Sequence, residues 1–396
     1  MFREQRLAHL VARMRGADIP IRIRLWNDRQ FDLGESPKVT LRVSGVTALR
    51  HLLHPTLDNL GNAYVEGGID LEGDVADIID VGTRLAAEAV RRSGLRPSPR
   101  RRRHTRELDA EAVASHYDVS NEFYAQWLDE GMVYSCAYFH DPADSLETAQ
   151  RAKIDHILRK LRVHPGDRLL DIGCGWGNLV MAAARDYGAR ALGITLSRNQ
   201  LELARERIAA AGLADRCEVR LEDYRDVAGR FDRVASVGMF EHVGLRHLGE
   251  YFGRMRDLLA DDGVALNHGI TSGDPESAET PFGGGDFIER YVFPHGELPH
   301  IGLVLREMAT AGLEATDVEN LRRHYALTLA HWSRRYEAAA ERIRPLVGEQ
   351  RFRTWRVYLA GCAYAFAHRW IAVHQVLAVK GSGTDPLPMT RDYMYR

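Results

Sequence analysis

The residues with the clearest chemical content form a glycine-rich segment and the end of the strand that follows it. The segment Asp171-Ile-Gly-Cys-Gly-Trp-Gly177 comes directly after Leu169 and Leu170, which predicts a buried strand that turns sharply into a helix. Glycines at such a turn allow a ligand to lie against the backbone. In dinucleotide-binding folds a carboxylate usually ends the next strand, but this chain has Gly193-Ile-Thr-Leu-Ser197 there, without an acid. The two segments therefore indicate a nucleotide-like cofactor of another kind.

Alternating strand and helix patterns from residue 168 onward would position these segments. They predict an α/β fold with a mostly parallel sheet that is covered by helices on both faces. The predicted strands lie near residues 168–173, 190–195, 217–222, 232–238 and 263–268, and a last one lies near 371–377. Ligands of such sheets bind beyond the carboxyl ends of the strands. We therefore expect the ligand site where Gly173, Thr195, Tyr224 and Glu241 fall.

Three regions are predicted along the chain. A small α+β accessory domain covers residues 1–90, a basic linker covers 91–106, and the catalytic domain covers 107–396. The accessory domain should contain a helix near 7–14, strands near 21–25 and 39–43, and helices near 47–54 and 75–92. The linker holds eight arginines and no acidic residue.

The composition is typical of a soluble globular protein, with 45% hydrophobic and 27% charged residues and a formal net charge of −2. The first residues carry scattered charges, unlike a secretory signal, and no apolar run approaches the roughly 18 residues of a membrane span. The four cysteines lack the spacing of a zinc site. We therefore expect a reduced cytoplasmic protein without a bound metal.

Seven further segments, in order along the chain, extend the pattern well beyond the glycine loop. They are His116–Tyr124, Met132–Phe139, Glu222–Asp226, Val237–Gly244, Phe287–Pro294, Glu319–Tyr325 and Trp355–Cys362. With the loop and Gln200, they resemble the cyclopropane-fatty-acyl-phospholipid synthase family, S-adenosylmethionine-dependent methyltransferases that include the mycolic-acid cyclopropane synthases. The resemblance covers about residues 113–380 and implies a Rossmann-like class I methyltransferase fold. Residues 63–74 look like the accessory domain of the phospholipid-acting members, which favours membrane phospholipid as the substrate.

The resemblance implies two groups of site residues. The residues that would contact S-adenosylmethionine are Tyr134, Ser135, Gly173, Cys174, Gly175, Thr195, Leu196, Gln200 and Tyr224. A bicarbonate ion would be held by Cys136, Glu241, His268, Tyr325 and the backbone near Ile270. His268 is followed by Gly-Ile-Thr, whereas the family has Thr-Ile-Gly. Cys362 is a recurring cysteine of the family and has either an active-site role or a packing role.

The implied reaction explains why both groups are needed. An alkene is a poor nucleophile, but it attacks the sulfonium methyl of the cofactor when the two are held at near-attack distance. The resulting carbocation must be kept from water, which calls for an apolar pocket with aromatic faces. A positioned base then removes a proton from the new methyl group, and ring closure follows. The base would be bicarbonate, or Glu241 itself, oriented by His268 and Tyr325.

The implied partners are unsaturated phospholipid and a membrane surface. The eight arginines of the linker would attract anionic lipid at about 1 kcal/mol each near the surface, or serve only as a solvated tether. No aromatic residues interleave with them, so we do not expect nucleic acid binding. The resemblance further implies a homodimer and a cytoplasmic location, peripheral at the inner face of the membrane.

Three other functions are open from the sequence. The cation could instead give a methylene- or methyl-branched chain, the latter with an added reductant. Small-molecule N-methylation is the second alternative, because plant N-methyltransferases resemble this family. The third is a non-catalytic lipid-binding protein on a methyltransferase scaffold.

Overall fold

The computed structural model of the protein describes residues 17–93, 119–276, 280–294, 296–381 and 385–395. The predicted helix near 7–14, almost all of the basic linker and the start of the segment His116–Tyr124 lie outside the described residues. Within the described ranges, no helix has the length and apolar character that crossing a membrane requires.

Two sheets and the helices around them make up the described residues. The strands are β1 Ile21–Arg24, β2 Gln30–Asp32, β3 Val39–Val43, β4 Ile69–Glu72, β5 Arg168–Ile172, β6 Arg190–Thr195, β7 Cys217–Leu221, β8 Phe231–Val237, β9 Leu259–Ser272, β10 Leu313–Asn320 and β11 Ile371–Lys380. The helices are α1 Leu49–Leu53, α2 Leu57–Val65, α3 Val75–Ser93, α4 Asn121–Ala125, α5 Leu146–Lys160, α6 Asn178–Asp186, α7 Arg198–Ala210, α8 Leu248–Leu258, α9 Gly285–Tyr291, α10 Ile301–Thr310, α11 Arg322–Ala338 and α12 Ala340–Ala367. Short 3-10 turns lie at Phe240–His242, Leu245–His247 and Arg391–Met394.

The described residues form two compact units. The first contains residues 17–93, 280–294 and 336–370, and the second contains 119–276, 296–335, 371–381 and 385–395. Residues 280–294 and 336–370, from the part that we predict as catalytic, thus pack with the N-terminal residues. The chain between 94 and 118 lies outside the described residues, so the predicted domain limits stay predictions.

The first unit is built on a four-stranded sheet in the order β2-β1-β3-β4. Strand β1 runs parallel to β3 and antiparallel to β2, and β4 pairs antiparallel with β3. The two predicted strands are confirmed, because Ile21, Ile23 and Leu41 are buried and alternate with more exposed polar residues. This alternation leaves one face of the sheet to form the core of the unit.

Helix α2 is not predicted by the sequence, because Asn59, Gly61 and Asn62 are weak helix formers. Its start is fixed by Thr56, whose side-chain oxygen accepts a hydrogen bond from the Asn59 N–H at 3.1 Å. The helix therefore depends on its cap and on the buried residues of its last turn rather than on helix propensity.

The second unit is built on a seven-stranded sheet in the order β10-β11-β9-β8-β5-β6-β7. The strands from β9 to β7 run parallel, and β11 and β10 add antiparallel pairs at one edge. This confirms the predicted α/β fold with a mostly parallel sheet. Strand β5 lies between β8 and β6, and its Leu169 and Leu170 are fully buried. The glycine segment therefore starts in the middle of the carboxyl edge of the sheet, where ligands bind.

Strand β10 is not predicted by the sequence, because its acidic residues Glu314, Asp317 and Glu319 are poor strand formers. Its partners on α5 explain how it forms. Lys160 is fully buried, and its Nζ donates to Glu319 Oε2 at 2.6 Å and to Asp317 Oδ2 at 3.3 Å. His156 Nε2 donates to the same Glu319 oxygen at 2.8 Å. Helix α5 therefore supplies the ammonium group and the imidazole N–H donor that allow these carboxylates to lie in the sheet.

We expect Glu319→Gln to lower the free energy of unfolding by about 3 kcal/mol, because the buried Lys160 loses its closest anionic partner. Burial opposes ionisation of Glu319, but the hydrogen bond from His156 and the charge of Lys160 prevail and lower its pKa to about 2. The contribution of the carboxylate is therefore complete above its ordinary pKa of about 4.3 and is lost as pH falls toward 2.

Chemical denaturation of the wild-type protein and the variant, at neutral pH and at successively lower pH, measures this difference. Glu314→Gln is the matched control, since Glu314 is exposed on the same strand and its replacement should cost under about 0.5 kcal/mol. Similar losses in the two variants would contradict the importance assigned to the buried ion pairs.

Candidate cofactor site and active site

The glycine loop joins β5 to α6 through left-handed backbone. Gly173 has a φ of +81° and Gly177, at the start of α6, a φ of +85°, which residues with side chains rarely adopt. The N–H groups of Gly173 and Cys174 donate to the Ile194 carbonyl at 3.0 and 2.9 Å, so the loop is bound to strand β6. A Cβ atom on Gly193 of that strand would lie 2.8 Å from both Cβ and Sγ of Cys174. The close packing of the loop on β6 therefore requires a glycine at position 193.

One cavity at the carboxyl ends of β5, β6 and β7 is lined by all nine residues that the resemblance implies for the cofactor. They are Tyr134, Ser135, Gly173, Cys174, Gly175, Thr195, Leu196, Gln200 and Tyr224. The fold thus brings these residues together at the sheet edge where ligands of α/β proteins bind. The contact that each makes with the cofactor stays a prediction.

At the end of β6, Thr195 and Gln200 are joined to each other. Thr195 Oγ1 donates to Gln200 Oε1 at 2.7 Å and accepts from the Ser197 N–H at 3.1 Å. Ser197 caps α7, because its side-chain oxygen accepts from the Gln200 N–H at 3.3 Å. These bonds hold the Gln200 side chain in the cavity wall with its amide NH₂ group oriented away from Thr195, an arrangement suited to ribose hydroxyls.

At the end of β7, the aromatic residue Tyr224 is bordered by an ion pair that the sequence reasoning missed. Arg225 donates to Asp223 through Nε at 2.8 Å and Nη2 at 2.6 Å, and its guanidinium lies 5.3 Å from the centre of the Tyr224 ring. The Tyr224 ring also meets Tyr251 edge-on at 5.4 Å. Both members of the ion pair line the cavity. The family segment Glu222–Asp226 contained these residues, but spacing alone did not show that they line the cavity.

At the end of β5, two buried ionisable residues that the sequence reasoning missed line the cavity. Lys153 of α5 is 3% exposed, and its Nζ donates to Ser135 Oγ at 2.8 Å. Burial lowers the pKa of Lys153 to about 8. Asp171 is 2% exposed, its Oδ1 has no hydrogen-bond partner, and burial raises its pKa to about 7. Asp171 stood in the glycine motif, whereas a lysine on the preceding helix gave no signal in the sequence.

Glu241 follows β8 in a 3-10 turn and reaches back to β9. Its Oε1 accepts from the Ile270 N–H at 2.7 Å, while its Oε2 is inaccessible to solvent and has no hydrogen-bond partner. Burial raises the pKa of Glu241 to about 7, although the bond from Ile270 opposes this shift. The Ile270 backbone, which the resemblance implies as an anion contact, donates to Glu241 in this structure.

His268 lies on β9, directly across from Gln375 of β11. Gln375 Nε2 is 3.2 Å from His268 Nδ1, and both side chains are buried. An amide nitrogen can only donate, so the neutral imidazole carries its hydrogen on Nε2, which is buried without a partner. Burial lowers the pKa of His268 to about 3, so the ring is neutral at physiological pH.

Glu241 and His268 both lie at the carboxyl end of the β8–β9 pair. The Gly238 N–H donates to the His268 carbonyl at 2.8 Å, which holds the start of the turn against β9. A Cβ atom on Gly269 would lie only 1.9 Å from the Phe240 ring, so the turn packs directly on the strand. This packing places the carboxylate of Glu241 beside the strand that carries His268.

Cys136 and Tyr325 are brought together at the start of α11. The Leu321 carbonyl accepts from the Tyr325 N–H at 3.0 Å and lies 3.8 Å from the Cys136 sulfur, whose nearer acceptor is the Ala137 carbonyl at 3.3 Å. The Ala137 N–H donates to Thr328 Oγ1 at 3.0 Å, which adds a second connection to the same helix. Burial holds the pKa of the Cys136 thiol far above its ordinary value, so the group stays a neutral thiol.

Cys362 belongs to helix α12 of the first unit. Burial of its sulfur raises the pKa of the thiol to about 12, which disfavours the nucleophilic thiolate. Its role in the reaction stays a prediction.

Aromatic side chains pack around Tyr134 in the second unit. The ring centres of Tyr124, Trp127 and Trp332 lie 5.2 to 5.6 Å from that of Tyr134. Tyr124 also contacts Trp176 at 5.2 Å, and Trp176 lines the cavity. One wall of the cavity is therefore backed by tightly packed rings, which limits the entry of water on that side.

The fold and the cavity define a class of protein. A mostly parallel seven-stranded sheet with an antiparallel pair at one edge and a glycine loop after a central strand is the fold of class I S-adenosylmethionine-dependent methyltransferases. The family model for mycolic acid cyclopropane synthetase matches residues 104–376, and this chain belongs to that family. A domain of unknown function, DUF7884, matches residues 10–93.

Similar proteins agree with this assignment. A "Probable fatty acid methyltransferase" of Pseudomonas putida is 49% identical over 394 residues, which are 98% of this chain and 100% of the relative. The cyclopropane-fatty-acyl-phospholipid synthase of Escherichia coli K12 is 38% identical over 266 residues, 67% of each chain. The crystal structure of mycolic acid cyclopropane synthase CmaA1 complexed with SAH and CTAB is 35% identical, has a TM-score of 0.65, and is matched over 68% of this chain and 98% of its own. The protein is an S-adenosylmethionine-dependent methyltransferase that cyclopropanates or methylates fatty acids or lipids.

We expect Gly193→Ala to weaken the binding of S-adenosylhomocysteine about tenfold, because the added Cβ must displace Cys174 and the glycine loop. Isothermal titration calorimetry measures the dissociation constant. Gly253→Ala is the matched control, since this glycine lies in α8 with open space at its Cβ position and its replacement should leave binding unchanged. Equal affinities in the wild-type protein and both variants would contradict the placement of the cofactor against this loop.

Proposed function

We propose that the enzyme converts cis double bonds in phospholipid acyl chains into cyclopropane rings. The ring methylene comes from the methyl carbon of S-adenosylmethionine, and bicarbonate held by Cys136, Glu241, His268 and Tyr325 is the general base. The observation that carries the proposal is a pair of buried atoms without hydrogen-bond partners, Glu241 Oε2 and His268 Nε2. Membership of the family supports the cofactor and a lipid substrate.

The two unpartnered atoms fit a small planar oxyanion. A buried polar atom without a partner costs about 1–3 kcal/mol, so two of them on packed elements suit a polar ligand. The carboxylate of Glu241 offers an acceptor, and the neutral ring of His268 offers a donor. Bicarbonate has one hydroxyl that donates and further oxygens that accept, so the residues present fit it. Bound there, it would supply a base that works near neutral pH.

The residues of the chain orient this site. Gln375 keeps His268 in the Nε2–H form, so the ring donates into the site rather than accepting from it. The high pKa of Cys136 makes it a weak neutral donor. Tyr325, in the first turn of α11, would supply its hydroxyl as a further donor in this proposal. Neutral donors of this kind hold an anion without taking over its charge, which leaves the anion able to accept a proton.

The cavity beside this site holds the methyl donor in the proposed function. S-adenosylmethionine supplies an electrophilic methyl group on a sulfonium sulfur. Gly173 and Gly175 would let the backbone approach the methionine portion, and Thr195 and Gln200 would hold the ribose. Tyr134, with the rings packed around it, excludes water and favours nearby positive charge by cation–π interaction.

Phospholipid as the substrate and a membrane surface as the place of action rest on two observations. The chain carries an N-terminal unit with a separate core, and the E. coli relative is named for a phospholipid substrate. We infer that the enzyme binds peripherally to the inner face of the cytoplasmic membrane and that it forms a homodimer. The basic linker, which would contact anionic lipid, lies almost entirely outside the described residues.

A second outcome of the reaction is favoured by the P. putida relative, whose name is that of a fatty acid methyltransferase. The same attack on the sulfonium methyl would then end in a methylene branch, or in a methyl branch when a reductant is supplied. Glu241 itself could remove the proton in this case, because a pKa of about 7 suits a general base at neutral pH.

Incubation of the purified protein with methyl-labelled S-adenosylmethionine and vesicles of cis-unsaturated phospholipid should place the label in cyclopropane rings. Mass spectrometry and NMR of the released fatty acids distinguish a ring from a methylene or methyl branch. Vesicles of saturated phospholipid are the control and should stay unlabelled, because they lack the alkene. Absence of label from the lipid would overturn the proposed function, and label in a branched chain would establish the second outcome instead.

We expect Glu241→Gln to lower kcat by about 10²–10⁴-fold, because the variant cannot hold or act as the base. Its affinity for S-adenosylhomocysteine should not change, since Glu241 is not among the residues that line the cofactor cavity. Glu250→Gln, on the exposed side of α8, is the control and should retain full activity.

Removal of bicarbonate from the buffer should lower the activity of the wild-type protein, and its return should restore the rate. Activity that depends on Glu241 but not on bicarbonate would identify Glu241 as the base. Full activity in Glu241→Gln would contradict both versions of the mechanism.

A further inference from the structure

Two buried lysines on one side of α5 have different surroundings. Lys153 and Lys160 are two helical turns apart, and neither is more than 3% exposed. Lys160 is neutralised by Glu319 at 2.6 Å and Asp317 at 3.3 Å. Within the described part of the chain, Lys153 forms no such ion pair, and its Nζ donates to the hydroxyl oxygen of Ser135 at 2.8 Å. A buried positive charge is thus directed at the wall of the cofactor cavity.

The hydrogen bond between Lys153 and Ser135 has a fixed direction. An ammonium group has three donors and no acceptor, so the Ser135 oxygen must accept. The hydroxyl hydrogen of Ser135 must therefore point elsewhere, and Ser135 lines the cavity. Gln150 holds the backbone of the same segment by donating to the Ser135 carbonyl at 2.9 Å. Ser135 consequently offers the cavity an O–H donor that is backed by positive charge.

Lys153 carries this charge at neutral pH. Burial lowers its pKa to about 8, and the nearby Asp129 and Asp171 limit the fall. Donors that are supported by a charged group form the stronger hydrogen bonds, and they form them best with anions. An anionic ligand group at Ser135 would also balance the buried charge, which is otherwise costly.

The cavity runs along the carboxyl ends of the neighbouring strands β7, β6 and β5. The Ser135 donor lies at the β5 end. Tyr224 follows β7 and Thr195 follows β6. Ser135 and Lys153 lie at β5, where the charges of Lys153 and Asp171 interact. With the adenine at β7 and the ribose at β6, the remaining end receives the amino-acid portion of the cofactor. That portion carries a carboxylate and an ammonium group.

We propose that Lys153 is a positioning residue that acts through Ser135 to select the carboxylate of the cofactor. The inference rests on the placement of the cofactor given under the proposed function. Its consequence is discrimination among adenosyl compounds, because those that carry an α-carboxylate gain a bond that the others cannot form.

The test compares two ligands on the full-length protein. S-adenosylhomocysteine carries the amino-acid portion, whereas 5′-methylthioadenosine lacks it and keeps the adenine, the ribose and the sulfur. We expect Lys153→Met to weaken the binding of S-adenosylhomocysteine by about 10- to 100-fold in calorimetric titrations. This is the effect of losing a charge-supported hydrogen bond. Binding of 5′-methylthioadenosine should hardly change. A loss of affinity caused by general damage to the fold would affect both ligands alike.

Lys160→Met is the matched control, because it removes a buried lysine from the same side of the same helix but not from the cavity wall. It should lower the unfolding temperature and leave the ratio of the two affinities as in the wild-type protein. Ser135→Ala should reproduce the selective loss. In the double variant of Lys153 and Ser135, the affinity for S-adenosylhomocysteine should fall by less than the product of the two single fold-losses, since both residues act through one bond.

The outcomes separate this inference from the proposed function. The role of Lys153 would be overturned if Lys153→Met weakened the binding of both ligands equally. It would also be overturned if Lys160→Met caused the same selective loss of affinity for S-adenosylhomocysteine. Should Lys153→Met not fold, Lys153→Gln, which keeps a donor without the charge, is measured in its place with the same criteria. A wild-type protein that does not bind S-adenosylhomocysteine would overturn the proposed function itself.

Discussion

Polar and ionisable groups held away from water at the carboxyl edge of the seven-stranded sheet are the constraint on which the rest of the structure depends. Asp171, Lys153 and His268 are each at most 3% exposed, and Oε2 of Glu241 is inaccessible to solvent. Each such group loses hydration that the protein only partly replaces, which costs free energy. Buried polar groups of this kind are found where a ligand restores the missing interactions, and parallel sheets bind their ligands at this edge.

Burial shifts these four groups in one direction, toward their neutral forms. The pKa values of Asp171 and Glu241 rise to about 7, while those of Lys153 and His268 fall to about 8 and about 3. The site thus holds less charge at neutral pH than its composition suggests. A sulfonium, a carboxylate or a small anion brings its own charge into such surroundings and interacts there more strongly than it would in water.

Rigid elements hold the groups in place. Helix α5 contributes Lys153 to the cavity and, two turns later, Lys160 to the carboxylates of β10, so one helix connects the ligand site to the sheet edge. The β9–β11 pair sets Gln375 against His268, and the packing of Phe240 on Gly269 holds the turn that carries Glu241. Small shifts in these elements would therefore change both the cavity and the position of the Glu241 carboxylate.

The sequence alone determined the features that depend on residues close to one another along the chain. Alternation predicted β1 and β3, apolar runs followed by glycine predicted β5 and its loop, and ordered family motifs predicted nine of the residues that line the cavity. Tertiary structure decided β10, whose carboxylates need Lys160, and it brought Lys153 to Ser135 and Gln375 to His268. The residues of the three pairs Lys160–Glu319, Lys153–Ser135 and His268–Gln375 lie 159, 18 and 107 residues apart. Local patterns record propensity and periodicity, whereas the partner of a buried polar group is chosen by the fold that excludes water from both.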